Sequence, residues 1–94
     1  PKPGEVMPLE SVQVNLAGGH YLRLGIALRL SEEAEEVDGS IALDRAIDLF
    51  SGRTVEQVSE PKQRRQLKDQ LSDQIRVAYH DEVLEIYYTD FVTQ

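Results

Sequence analysis

The sequence has no cysteine, no tryptophan and a single methionine. Without cysteine, a disulfide framework and a thiolate metal site are both excluded. The redox compartment stays open, because exported and cytosolic domains alike can lack the residue. Long apolar runs are missing as well. No stretch approaches the ~20 apolar residues that a membrane-spanning helix requires, and no signal peptide is visible. Positive charge is scarce: 10 Lys and Arg stand against 17 Asp and Glu, for a formal net charge of −7. A nucleic-acid binder shows a basic footprint, so this balance points away from nucleic acid. At 94 residues the chain suffices for one small domain and is too short for two. A domain of that size buries roughly 60–70% of its unfolded surface, so one unstapled core is feasible.

What is present is organised around His20 to Leu30, HYLRLGIALRL. Leu22, Leu24, Ile26, Leu28 and Leu30 occupy every second position, with Arg23 and Arg29 among the residues between them. A strand sends alternate side chains to opposite faces, so the five aliphatics share one side. Before it, Val12, Val14 and Leu16 alternate with Gln13 and Asn15, which predicts a first strand. Gly18-Gly19 between the two runs fits a tight hairpin, since a type I′ turn needs positive φ at both central residues. Residues 1–10, with three prolines and no periodicity, read as an extended linker ahead of a domain over 11–94. The start at Pro-Lys-Pro-Gly reflects either a removed initiator Met or a missing upstream sequence.

Ser31 to Ser40, SEEAEEVDGS, reads as a solvated acidic loop or, more pointedly, as an acidic contact surface. Asp38 or Ser40 then caps a helix whose apolar stripe is Leu43, Ala46, Ile47 and Phe50. Ser51-Gly52 ends it. Thr54 and Gln57 form a capping-box pattern for a short turn of helix through Val58. The longest helix starts near Pro61 and buries Leu67, Leu71, Ile75, Ala78 and Tyr79. Its first turns hold Lys62, Arg64, Arg65 and Lys68, where the macrodipole favours acids. Pairs Glu60–Arg64 and Arg65–Asp69 would offset part of that cost. Such a cluster is either a solvated face or a binding patch.

Val83 to Gln94, VLEIYYTDFVTQ, has the β-branched and aromatic content of a strand. Simple alternation sets Leu84, Ile86, Tyr88, Asp90 and Val92 on one face, and Val83, Tyr87 and Phe91 on the other. Tyr87 and Phe91 are thereby expected to mark an exposed contact surface or to pack beneath the acidic loop or linker. Two helices between the second and third strands return the chain to where the second strand stopped. An α+β fold follows, β-β-α-α-β, with helices on one face of a three-stranded sheet.

No GxSxG, HExxH or P-loop pattern occurs. His20 and His80 have no histidine, cysteine or carboxylate at metal-ligand helical spacing, apart from Asp81 and Glu82 beside His80. His80 near a helix end is more simply a dipole partner, and Asp90 a carboxylate held by backbone amides. The residues therefore indicate no enzyme, no metal and no cofactor.

Four segments in order resemble the extracytoplasmic domain of the flagellar basal-body-associated FliL family, over about Met7 to Gln94. They are Pro8-Leu9-Glu10-Ser11-Val12-Gln13-Val14-Asn15-Leu16, Tyr21-Leu22-Arg23, Ala46-Ile47-Asp48-Leu49-Phe50-Ser51 and Tyr87-Tyr88-Thr89-Asp90-Phe91-Val92-Thr93-Gln94. Val12 stands where the family often has an aromatic, and Glu60 where a Thr cap is usual. The resemblance implies a non-catalytic, single-pass protein of the bacterial inner membrane, its span upstream and this domain periplasmic. It also implies a stomatin/prohibitin-like fold, assembly of copies into a ring, and partnership with the stator proteins MotA and MotB in motility and chemotaxis. Glu32, Glu33, Glu35, Glu36, Arg64, Arg65, Lys68, Tyr87 and Phe91 are the candidate interface residues. A soluble interaction or small-ligand-binding domain unrelated to the flagellum is the alternative.

Overall fold

The computed structural model describes residues 2–94; Pro1, the first residue of the expected linker, lies outside them. In chain order the elements are β1 (Pro3–Pro8), β2 (Val12–Asn15), β3 (Tyr21–Ser31), α1 (Ser40–Phe50), α2 (Val55–Ser59), α3 (Pro61–Ala78) and β4 (Val83–Thr93). β3 is the spine. It pairs antiparallel with β2 through Leu22 and Leu24, with β1 through Ala27, Leu28 and Arg29, and with β4 along its other edge. The sheet thus has four strands rather than the expected three, because most of the presumed linker is β1. β1 and β2 share one edge of β3, so the sheet remains three strands wide. Proline is tolerated there because an edge strand has backbone donors to spare.

The hairpin between β2 and β3 closes through a three-residue 3₁₀ turn, Ala17–Gly19, rather than a two-residue loop. Gly18 and Gly19 both adopt positive φ, +75° and +76°, the conformation that side-chain-bearing residues resist.

All five aliphatics of β3 are buried beneath the helices, together with Val14, Leu67, Leu71, Ile75, Val83 and Ile86. Within α1 the buried stripe is Ala42, Ala46 and Phe50, rotated from the predicted one. Ile47 is 38% exposed and Leu43 only half-buried. The small side chains decide the rotation: alanines face the contact, where close approach is needed, and the larger aliphatics flank it. The N-cap of α1 is Gly39, which has no side chain to cap the first turn, rather than Asp38 or Ser40. The Tyr79 hydroxyl from the end of α3 substitutes, accepting from Ala42 N–H at 3.0 Å and donating to the Asp38 carbonyl at 2.5 Å. Asp38 accepts from the Ser40 N–H and hydroxyl, which hold its carboxyl below the usual range.

α2 starts with the expected capping box of Thr54 and Gln57. α3 starts at Pro61 and buries the predicted Leu67, Leu71 and Ile75, with Tyr79 at its end. Glu60 does not pair with Arg64. Its carboxylate instead accepts from Lys62 and Gln63 N–H, at 3.1 and 2.8 Å, and so caps α3 in place of Thr. Arg65 and Asp69 are likewise unpaired; the ion pairs among the described residues are Arg23–Asp90 and Arg45–Asp44. Among the described residues no helix is long and apolar enough to cross a membrane.

Candidate assembly surface

β4 does not alternate simply. Its pairing with β3 skips between Gly25 and Ile26, which face Asp90 and Tyr88, and again between Arg29 and Leu30, which face Glu85 and Val83. Thr89 and Leu84 are therefore extra residues, each reversing the alternation beyond it. Across an antiparallel ladder, paired side chains share a face. Val83, Ile86, Tyr88 and Phe91 consequently join the leucine face, opposite Leu30, Leu28, Ile26 and Leu24. Glu85, Tyr87, Asp90 and Val92 take the helix-free face. Both predicted face sets are corrected by these two bulges.

Tyr87 and Phe91, expected together, are separated by the sheet. Phe91 packs edge-on against Phe50, with ring centroids 6.1 Å apart, and lies 5.0 Å from Tyr88. Tyr87 sits on the helix-free face below Arg29, whose guanidinium carbon is 5.6 Å from the ring centre. Arg29 also donates to the Tyr87 hydroxyl at 3.3 Å and to the Gly4 carbonyl at 2.8 Å, tying β1, β3 and β4 together.

One level along that face, Gly25 is the node where both edges of β3 are irregular. A Cβ there would stand 2.7 Å from Thr89 Oγ1, 2.8 Å from Ser11 Oγ and 3.0 Å from Asp90 Cβ. Asp90 accepts from Arg23 Nε at 2.8 Å and from the Ser11 hydroxyl at 3.3 Å. The carboxylate is held by side chains, not by the backbone amides that were expected.

The basic cluster at the start of α3 is not uniform. Arg64 lies over Phe91 with its guanidinium carbon 5.8 Å from the ring centre, and Lys68 Nζ is 5.6 Å from that of Tyr88. Both cations thus interact with the rings of their own β4. Lys62 and Arg65 are exposed and form no ion pair among the described residues. The Tyr88 oxygen is buried without a hydrogen-bond partner, and burial drives its pKa well above the ordinary tyrosine value.

Glu32, Glu33, Glu35 and Glu36 follow the end of β3, with Glu32 N–H donating to the carbonyl of Lys2, just ahead of β1, at 2.6 Å. Glu5, Glu32, Glu35 and Glu36 line a cleft of about 600 Å³ whose apolar walls are Val6, Met7, Pro8, Leu30 and Ala34. The acidic and basic groups lie toward opposite ends of the sheet. Arg64 stands over Phe91, which pairs with Leu24, whereas the acidic loop begins beyond Ser31. Seven residues of β3 separate those levels, roughly 23 Å at strand rise, in a molecule 43 Å long.

Sequence reasoning missed Glu5, Tyr88 and the cleft floor. Glu5 and Met7 were hidden by reading β1 as linker. The available signal for Tyr88 was its spacing of three from Phe91, which allows a shared face only across a bulge. Among the described residues there is no group of three or more His, Cys, Asp or Glu placed to hold a metal ion.

Residues 6–94 match the family described as flagellar basal body-associated protein FliL. No curated protein matches the chain.

Proposed function

The chain belongs to the FliL family of flagellar basal body-associated proteins, and from that premise we propose that it is a non-catalytic accessory of the flagellar motor. In this reading copies assemble into a ring around the stator of MotA and MotB, anchored in the inner membrane by an upstream span, with this domain in the periplasm. The ring supports torque, motility and chemotaxis. The observation that carries the flagellar assignment is the family match across almost the whole chain. Helices confined to one face of an antiparallel sheet agree with a stomatin-like domain.

The charge distribution supports assembly by unlike surfaces. A ring built from a heterologous contact sets one patch of a subunit against a different patch of the next. The acidic loop and the basic start of α3 are such a pair, at opposite ends of one domain. Exposed ion pairs contribute only ~0–1 kcal/mol each, so charge sets register more than it holds subunits together. Of the two aromatics first assigned to the contact, Phe91 serves by supporting Arg64, and Tyr87 belongs to the other face.

The test is charge reversal in the intact, membrane-anchored protein. Arg64→Glu with Arg65→Glu is expected to reduce swimming and chemically crosslinked multimers, with circular dichroism confirming the fold. Adding Glu32→Lys and Glu33→Lys is expected to restore part of both. Unchanged swimming and multimers in the basic-side variant would refute the contact.

A further inference from the structure

The cleft beside β1 has an apolar floor as well as an acidic rim. Met7 pairs with Leu28 and so faces the core side, Leu30 lies at the end of the leucine row, and Ala34 is half-buried above them. The four rim glutamates form no ion pair among the described residues. A cavity that is apolar below and anionic at its mouth is matched by long cationic side chains. Their methylene stems cover apolar surface while the charged heads reach the carboxylates.

The exposed start of α3 supplies such side chains, and its four cations divide by geometry. Arg64 and Lys68, four residues apart, lie over Phe91 and Tyr88 of their own chain. Lys62 and Arg65, three apart, share another exposed strip without an ion pair. The nearby Glu60 is already committed to the helix cap. Along β3 the helix start lies at the level of Leu24 and the cleft floor at Leu28 and Leu30. These levels are four to six residues apart, roughly 13–20 Å at strand rise, so Lys62 and Arg65 stand away from the cleft of their own chain.

We propose that the cleft seats Lys62 and Arg65 of a second copy, so that the contact is a socket with an apolar floor and not a loose apposition of charged surfaces. The proposal rests on the head-to-tail ring described above. It divides the basic cluster by depth: Arg64 and Lys68 border the contact from above the aromatic rings of their own chain, and Lys62 and Arg65 enter the neighbour's cleft.

The sequence has no cysteine, so an introduced pair reports without competition from these residues. Ala34→Cys, on the cleft, and Gln66→Cys, beside Arg65, are introduced together in the intact protein in swimming cells. Mild oxidation is expected to give a ladder of disulfide-linked multimers. Either single variant should give no ladder, and adding Lys62→Glu and Arg65→Glu should diminish it several-fold. A cysteine-free variant, Glu35→Lys with Glu36→Lys, should lower amine-crosslinked multimers by a similar factor. If amine-crosslinked multimers persist while the 34–66 disulfide is absent and the glutamate reversal has no effect, the socket is wrong and the ring stands. If no multimers form under any condition in swimming cells, the ring fails and the socket with it.

Discussion

At the residue scale two tyrosine hydroxyls differ in their hydrogen bonding. The Tyr79 hydroxyl bridges Asp38 and Ala42, whereas the Tyr88 oxygen is buried with no partner. Removing a bridging hydroxyl strands buried backbone groups, so Tyr79→Phe is expected to cost ~1–3 kcal/mol. Tyr88→Phe removes an unsatisfied group and should change stability by less than ~0.5 kcal/mol or raise it. Urea denaturation at neutral pH checks both; an equal cost would mean that Tyr88 has a partner. The pH dependence has a definite sign. Burial raises both pKa values, against opposing contributions from the Ala42 N–H at Tyr79 and from Arg64 at Tyr88. The neutral hydroxyls therefore favour the fold fully below the unfolded tyrosine pKa of about 10, and that contribution is lost as pH rises toward the higher folded values. Melting temperature should fall more steeply above that pH in wild type than in the double Phe variant.

Element positions were legible wherever one residue dictated them. The β3 alternation, the Thr54–Gln57 box and Pro61 at the head of α3 each have a local physical cause, and each element stands where that cause puts it. What was illegible depended on neighbours. β1 was hidden because prolines at an edge look like a linker until β3 is beside them. β4 was misassigned because its bulges at Thr89 and Leu84 follow from pairing with β3, and no residue type announces them. The acidic loop and basic cluster could be read as charge, but their opposite placement and the rings beneath Arg64 and Lys68 could not. α1 provides a measurable contrast. Phe50 is fully buried and Ile47 is 38% exposed, although the sequence stripe gave them equal standing. Phe50→Ala should cost ~3–5 kcal/mol, while Ile47→Ala should cost under ~1 kcal/mol. Similar losses in chemical denaturation would restore the original stripe.

For the whole molecule, the separation of opposite charges along a 43 Å body makes a directional unit. A chain with net charge −7 repels its copies in bulk, so the proposed ring would depend on local complementarity and on the effective concentration that the proposed membrane anchor would provide. Two distinct patches also mean that two defective chains can be complementary. In one chain Arg64 and Arg65 become Glu; in the other Glu32 and Glu33 become Lys. Each alone presents one altered patch at every contact. Alternating in a ring, they place unaltered acid against unaltered base at one contact, and reversed base against reversed acid at the next. The most direct measurement is therefore swimming speed in cells that express the two reversed chains separately and together. Impaired swimming with each alone and substantial recovery on co-expression is the predicted result. Unimpaired swimming with either chain alone, or no recovery with both present at normal levels, would contradict assembly through these unlike patches.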